Sequence, residues 1–449
     1  MGVFEIGLLY IGAAFLLLFS GVPIVFALGG VALAFMYLFM PPANMQMVAQ
    51  TLYGELNNFT LLAIPLFILM GAAIGKTRAA VDLYESTHRW LYKLPGGLGV
   101  ANVAGCSIFA AMCGSSPATC AAIGGMGIPE MRKRGYSAQL AAGLIAAGGT
   151  LGILIPPSVT LIIYGIITEQ SIGRLFMAGV VPGLLLALFF ALWVIYASIR
   201  ERRRALAGIG PAQAAALLVE EHFSWRERFE TIPRLLPFVL LIVLIMVAMY
   251  GGWATPSEVA GVGALGALLM VAVVYGVFRW RDVKDILSGA ARESCMIMMI
   301  IATAFLFTYV MSYLHITQTA TEWLVGLPLS KWEYLFWVNV LLIVLGFFLP
   351  PVAIILMVTP VIAPGLVAHG FDLVWFGIIM TILMEMGLIT PPVGLNLFVI
   401  NGIAPDITFK QLIYGVTPFI VIMLLSIVLF AVFPQPVMWL PDQVMGVPQ

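Results

Sequence analysis

Charge is scarce in this chain. Of its 449 residues, 21 are Lys or Arg and 21 are Asp or Glu, 9% together, where a soluble domain carries roughly 25%. The formal net charge is zero, which gives no argument for nucleic acid. No stretch is long and polar enough to form a separate soluble domain. Four cysteines in a chain of this size supply no disulfide framework. His88, His222, His315 and His369 sit at segment ends or in loops and show no ligand spacing. There is no Walker motif, no Rossmann glycine pattern and no H-E-x-x-H, so ATP hydrolysis and metalloprotease chemistry lack their residues. Ser115 and Ser116 have no His and Asp partners placed for nucleophilic work. A membrane-embedded transferase would need paired acids near the interface, and no such cluster occurs. The chain therefore reads as a non-enzyme.

What is abundant is apolar surface. Hydrophobic residues make up 62% of the chain and mean hydropathy is +1.07, which indicates an integral membrane protein of all-α class. The length allows about eleven or twelve crossings at ~20 residues each. The first apolar segment has no A-x-A-like cleavage site and reads as a retained helix. Apolar runs place segments near 4–19, 22–40, 59–75, 137–168, 175–199, 235–250, 256–278, 287–314, 373–402 and 412–433. A polar stretch lies at 44–58, an amphipathic, interfacial one at 80–94, and an outer loop at 315–332. Two further apolar stretches, 96–131 and 334–368, are interrupted in the middle and read as re-entrant helical hairpins. With the N-terminus outside, 19 of the 21 basic residues fall on the inner side, and only Arg174 and Lys331 fall outside. A wrong segmentation would scramble that asymmetry.

The chain is organised around Gly114-Ser115-Ser116-Pro117 and Leu151–Ser158, both helix-breaking and both in membrane-grade sequence. Broken backbone is tolerated at membrane depth only where it is buried in protein or lines a polar cavity. The second half repeats the pattern. At a shift of 235 residues Pro156-Pro157 falls on Pro391-Pro392, Gly152 on Gly387, Gly135 on Gly370, and Ser115-Ser116-Pro117 on Pro350-Pro351-Val352. The layout puts the first hairpin in from the inside and the second from the outside, an inverted-topology repeat of the kind used by secondary transporters. The expected units are a first repeat, 1–199, an inner connector, 200–234, a second repeat, 235–433, and an outer tail, 434–449.

Two hairpin tips and two broken helices can meet near the bilayer midplane. Unwound carbonyls and half-helix C-termini suit a cation, and half-helix N-termini suit an anion. One cation site is expected from Ser115, Ser116, Gly152, Pro156 and Ser158, and a second from Pro350, Pro351, Gly387, Thr390, Pro391 and Val393. Hard oxygen ligands favour Na⁺ over a transition metal. Ser116, Thr119, Gly394 and Asn396 are placed to hold a polar or anionic solute. A Pro-Pro pair alone marks only a kink, and membrane Ser and Thr often bond their own backbone. It is the recurrence of both features at one shift that favours sites. Glu385, an intramembrane carboxylate, is a candidate either for ligation or for bracing the broken helix. Cys106, Cys113 and Cys120, seven apart, are better explained by small-residue packing than by a metal. The methionines read as packing and lipid contact.

At Gly114–Pro117, Ile128-Pro129-Glu130-Met131, Arg134-Gly135-Tyr136, Leu151–Ser158, Ala178–Gly183 and Gly387–Gly394, the sequence resembles, end to end, the large membrane subunit of the tripartite ATP-independent periplasmic (TRAP) transporters. The runs GTLGILIPPSVTLIIYG and GLITPPVGLNLF carry most of the likeness. The tip reads Cys113-Gly114-Ser115-Ser116-Pro117 where relatives often have a Ser-Gly-Ser-type tip. The resemblance implies a bacterial inner-membrane Na⁺ symporter with a moving, elevator-like transport domain and both termini periplasmic on the layout above. It also implies a separate small four-helix membrane partner and a periplasmic binding protein that delivers an organic-acid anion. A stand-alone anion/Na⁺ symporter or Na⁺/H⁺ antiporter of similar build is the alternative.

Overall fold

The computed structural model describes residues 2–207, 223–277 and 279–446, and every regular element among them is helical. The first half contains α1 Val3–Phe19, α2 Ile24–Phe39, α3 Ala43–Leu56, α4 Ala63–Gly75, α5 Ala79–Leu91, α6 Gly97–Cys113, α7 Ser116–Lys133, α8 Ala138–Leu154, α9 Val159–Ile167 and α10 Ile172–Ala207. The second contains α11 Trp225–Phe229, α12 Ile232–Tyr250, α13 Pro256–Val273, α14 Trp280–Tyr313, α15 Ile316–Gly326, α16 Lys331–Gly346, α17 Pro351–Ala368, α18 Leu373–Leu388, α19 Leu395–Ile403, α20 Phe409–Val432 and α21 Gln435–Met445.

Among the described residues, six helices are long and apolar enough to cross a membrane, and two bent pairs bring the number to eight. That is fewer than the eleven or twelve crossings the length allows. The difference lies in helices such as Val3–Phe19, Ile24–Phe39, Gly97–Cys113 and Leu373–Leu388, which are apolar but short of the ~20 residues that a full crossing takes.

Local chemistry sets the breaks, and it recurs at the 235-residue shift. Gly135 and Gly370, with φ of +83° and +72°, end α7 and α17, a backbone region that costs glycine little. Ser137 and Asp372 then cap α8 and α18, their side-chain oxygens accepting from the Leu140 and Trp375 amides. Pro156-Pro157 follows α8 and Pro391-Pro392 follows α18, both as cis peptides. Ser158 caps α9 by accepting from the Leu161 amide at 3.3 Å.

Helices α8 and α18 are buried on every face, from Leu140 to Leu154 and from Val374 to Leu388. They form the core against which the rest packs. Glycines let the neighbours come close. A Cβ on Gly152 would stand 2.5 Å from the Ala110 Cβ of α6, and one on Gly387 would stand 2.4 Å from the Gly346 carbonyl oxygen of α16. Each broken helix thus rests on the first arm of the hairpin in its own half. Across the halves, a Cβ on Gly143 of α8 would lie 2.2 Å from the Gly415 carbonyl of α20.

Polar contacts fall into two groups that share no residue. In one, Lys76 pairs with Asp285 at 3.9 Å, Arg234 with Asp82 and Glu85 at 3.7 and 3.2 Å, and Arg132 with Asp406. There too, Arg89 donates to the Glu227 carbonyl at 3.1 Å. In the other, Arg174 pairs with Asp442 at 2.6 Å, Lys331 donates to the Gly370 carbonyl at 2.9 Å, and Ser257 donates to the Phe59 carbonyl at 2.8 Å. The exposed pairs at Lys76, Arg132 and Arg234 contribute little stability, whereas Arg174 is buried.

The structure adds detail to four segments. Most of 80–94 lies in α5, Ala79–Leu91, which turns Ala80, Leu83, Tyr84, Ser86 and Thr87 into the protein, and Thr87 donates to the Ala101 carbonyl of α6 at 3.2 Å. Amphipathicity there serves packing as well as any interface. The 315–332 loop is mostly helix α15. Within the 200–234 connector, α10 runs on to Ala207, α11 spans Trp225–Phe229 and α12 starts at Ile232; residues 208–222 lie outside the described ones. The tail is helix α21, held by Arg174, which reaches both Asp442 and the Gly446 carbonyl.

Candidate functional site

The two stretches of the first expected cation site meet. Gly114, with φ +62°, reverses the chain between α6 and α7. A Cβ there would lie 3.7 Å from the Pro157 carbonyl oxygen, so the hairpin tip faces the break between α8 and α9. Ser116, Gly152, Pro156 and Ser158 are buried and Ser115 is half-buried. Helix α8 ends at this point with its last carbonyls short of amide partners, as all helix C-termini do.

The second set is arranged alike but more open. Gly387 rests on Gly346, next to the tip formed by Pro350 and Pro351. Pro351 is buried and Pro350 exposed; Thr390 and Pro391 are half-buried, and Val393 is 40% exposed. The first break is therefore enclosed and the second faces outward from the fold.

Most of the expected hydroxyls are engaged locally. Thr119 donates to the Ser115 carbonyl at 3.0 Å, Thr390 to the Met386 carbonyl at 2.6 Å, and Ser158 serves as a cap. A hydroxyl that donates in this way keeps its oxygen lone pairs for a further ligand. Ser116 is different: its Oγ donates to Oε2 of Glu385, 269 residues away on α18. Glu385 thereby ties the tip of the first hairpin to the broken helix of the second half. At the 235-residue shift it takes the place of Thr150, and that swap of a hydroxyl for a carboxylate in buried sequence is the signal that distinguishes it.

Asn396, from the first turn of α19, joins the same cluster. Its Nδ2 donates to the Ala146 carbonyl of α8 at 3.2 Å. A Cβ on Gly149 would lie 2.3 Å from Cys120 Sγ, 2.9 Å from the Ser116 carbonyl oxygen and 3.5 Å from Asn396 Nδ2. Only glycine leaves room for Ser116, Cys120 and Asn396 to converge here. Gly394, with φ +59°, turns the chain into α19, and Thr119 is buried one turn into α7. So Ser116 and Asn396 share one buried region, Thr119 lies one turn further along α7 and Gly394 precedes α19. Cys106 and Cys120 fill notches beside Gly148 and Gly149 of α8. No group of three or more His, Cys, Asp or Glu side chains suited to a metal occurs among the described residues.

Apolar helices around two helical breaks, one enclosed and one open, define a polytopic membrane protein. Its fold matches that of the Alcanivorax borkumensis YdaH transporter, with a TM-score of 0.60 over 89% of this chain and 91% of that one, at 14% identity. The family model for the tripartite ATP-independent periplasmic transporter, DctM component, matches residues 11–436, and the chain belongs to that family. It is 37% identical over 80% of its length to the C4-dicarboxylate TRAP transporter large permease protein DctM of Pseudomonas aeruginosa, 80% of which is covered. It is 35% identical over 97% of its length to the protein of the same name from Rhodobacter capsulatus, 98% of which is covered. It is thus a large permease component of a TRAP transporter.

Proposed function

We propose that this permease carries a small organic-acid anion into the cell, driven by Na⁺. A C4-dicarboxylate is the first class to test, because relatives at 35% and 37% identity are named for it. Cations bind at the two breaks, one at Ser115, Ser116, Gly152, Pro156 and Ser158, the other at Pro350, Pro351, Gly387, Thr390, Pro391 and Val393. The anion sits between them, framed by Ser116, Thr119, Gly394 and Asn396, where the N-termini of α7 and α19 present amides to negative charge.

The reading rests above all on one observation. The same device, a glycine of a broken helix pressed on the first arm of a hairpin, occurs at Gly152 and at Gly387. With the basic end in the cytoplasm and both termini outside, the two hairpins are re-entrant from opposite sides and the halves are inverted repeats. The hairpins and broken helices then move together as an elevator against a scaffold of the remaining crossings. Differential affinity of the outward and inward states for cation couples the two fluxes. A small four-helix membrane subunit, as a separate chain, braces the scaffold in the bacterial inner membrane, and a periplasmic binding protein delivers the acid.

The test is uptake by proteoliposomes holding the permease and its small subunit, with the binding protein outside. Accumulation of labelled dicarboxylate under an inward Na⁺ gradient, and not under an equal K⁺ gradient, is the expected result. Uptake that ignores the Na⁺ gradient would refute the coupling.

A further inference from the structure

Two acceptor atoms in the central cluster have nothing to accept from. Glu385 is 1% exposed and Asn396 fully buried. Glu385 Oε2 takes the Ser116 hydroxyl, while Oε1 has no hydrogen-bond partner. Asn396 Nδ2 is committed to the Ala146 carbonyl, which fixes the amide so that Oδ1 is its free atom, and Oδ1 too has no partner. Glu385 enters no ion pair among the described residues. While Glu385 is ionised the two oxygens cannot satisfy each other, and a buried carboxylate without a counter-charge is costly; a proton on Oε1 or a cation beside it resolves both. The missing group must bring positive charge or donors.

We infer that Glu385 Oε1 and Asn396 Oδ1 hold a monovalent cation at the seam between the two halves, beside the anion position, with ligands that belong to neither break. Hard oxygens with a single negative charge suit an ion such as Na⁺, which leaves the cluster neutral. The consequence deepens the proposed function and rests on its cation-coupled reading. With the site empty, the Glu385 carboxylate faces the position framed by Ser116 and Asn396 and repels an anion. With the cation in place that repulsion is cancelled, so the cation must precede the acid. The site spans α18, α19 and, through Ser116, the tip of the first hairpin, so its filling also fixes the tip against the second half.

The test is Na⁺ binding to the purified permease in detergent, by equilibrium dialysis with radioactive sodium in choline buffer. Glu385→Gln removes the charge at constant size, and Asn396→Ala removes the second oxygen. Each variant is expected to bind one Na⁺ fewer per chain than the parent. Glu385→Gln should also melt at or above the parent in choline and below it in Na⁺, a crossover that a purely structural brace does not produce. Full stoichiometry in both variants, as when a water fills the gap or a proton sits on Glu385 Oε1, overturns this inference and leaves the two break sites standing. A parent protein that binds no Na⁺ overturns both.

Discussion

Gly387→Ala tests the packing on which the whole site depends. The new methyl would stand 2.4 Å from the Gly346 carbonyl oxygen, 2.7 Å from its carbon and 2.9 Å from its Cα, where ordinary contact starts at 3.4 Å. All three atoms are backbone, so no rotamer can relieve the clash, and α16 must retreat from α18 by about 1 Å. Overpacking of this kind costs ~1–3 kcal/mol. It outweighs the ~0.5–1 kcal/mol that Ala gains over Gly in a helix. Gly152→Ala meets Ala110 at 2.5 Å and should behave alike. Gly30→Ala, on an exposed face of α2 with nothing within 4 Å of its Cβ, is the control and should be neutral or slightly stabilising. Thermal unfolding in detergent, followed by tryptophan fluorescence, ranks the three. Both site variants should melt below the parent, and their Na⁺ affinity should fall because the hairpin arm has moved off the break. If Gly387→Ala and Gly152→Ala melt with Gly30→Ala, the close approach is not what holds hairpin to helix, and the reasoning fails.

Arg132 beside Asp406 holds that carboxyl below its ordinary value of 3.8. The pair's stabilisation is therefore present above that value and lost as pH falls through the lowered one; Asp406→Asn should melt slightly below the parent at neutral pH and low salt, and together with it in strong acid or high salt. Arg174→Ala removes the anchor of α21, a charge-assisted pair and a carbonyl contact together. Such bonds contribute ~1.5–3 kcal/mol each, so limited proteolysis should cut the C-terminal helix many times faster than in the parent, with little change in the rest of the molecule. Glu201 accepts from both the amide and the hydroxyl of Ser137 at 3.1 and 2.6 Å, and Glu201→Ala should lower the melting temperature through loss of about 1 kcal/mol at the start of α8.

Much of this architecture is legible in the sequence because it is written in local chemistry. Gly135 and Gly370 suit a helix end, Ser137 and Asp372 a helix start, and Pro156-Pro157 and Pro391-Pro392 a break. These residues fall within two or three positions of the observed boundaries. The two basic residues that the charge distribution left on the sparse side, Arg174 and Lys331, each have a local reason to be there. Arg174 anchors α21, and Lys331 meets the Gly370 carbonyl and the Phe371 ring.

Long-range pairing is where local chemistry falls silent. Hydropathy cannot tell that Ser116 of one half meets Glu385 of the other, or that Asn396 reaches Ala146. Those contacts depend on glycines at 143, 149 and 415, whose role is to be absent from the space they leave. The helical character of the tail and of 316–326 escaped for a related reason. Their apolar residues are too few to mark a crossing, and a docking partner such as Arg174 is distant in sequence.

The central claim is that cations bind at the breaks and order the hairpins. Its most direct test is thermal unfolding of the purified permease in Na⁺ against choline at equal ionic strength. A ligand specific to the folded state stabilises it by about 2.7 kcal/mol at a hundredfold excess over Kd. The account predicts a rise specific to Na⁺ in the parent, reduced in Ser116→Ala and again in Thr390→Ala. Identical melting in Na⁺ and choline, with the small subunit bound as well as without it, would contradict it.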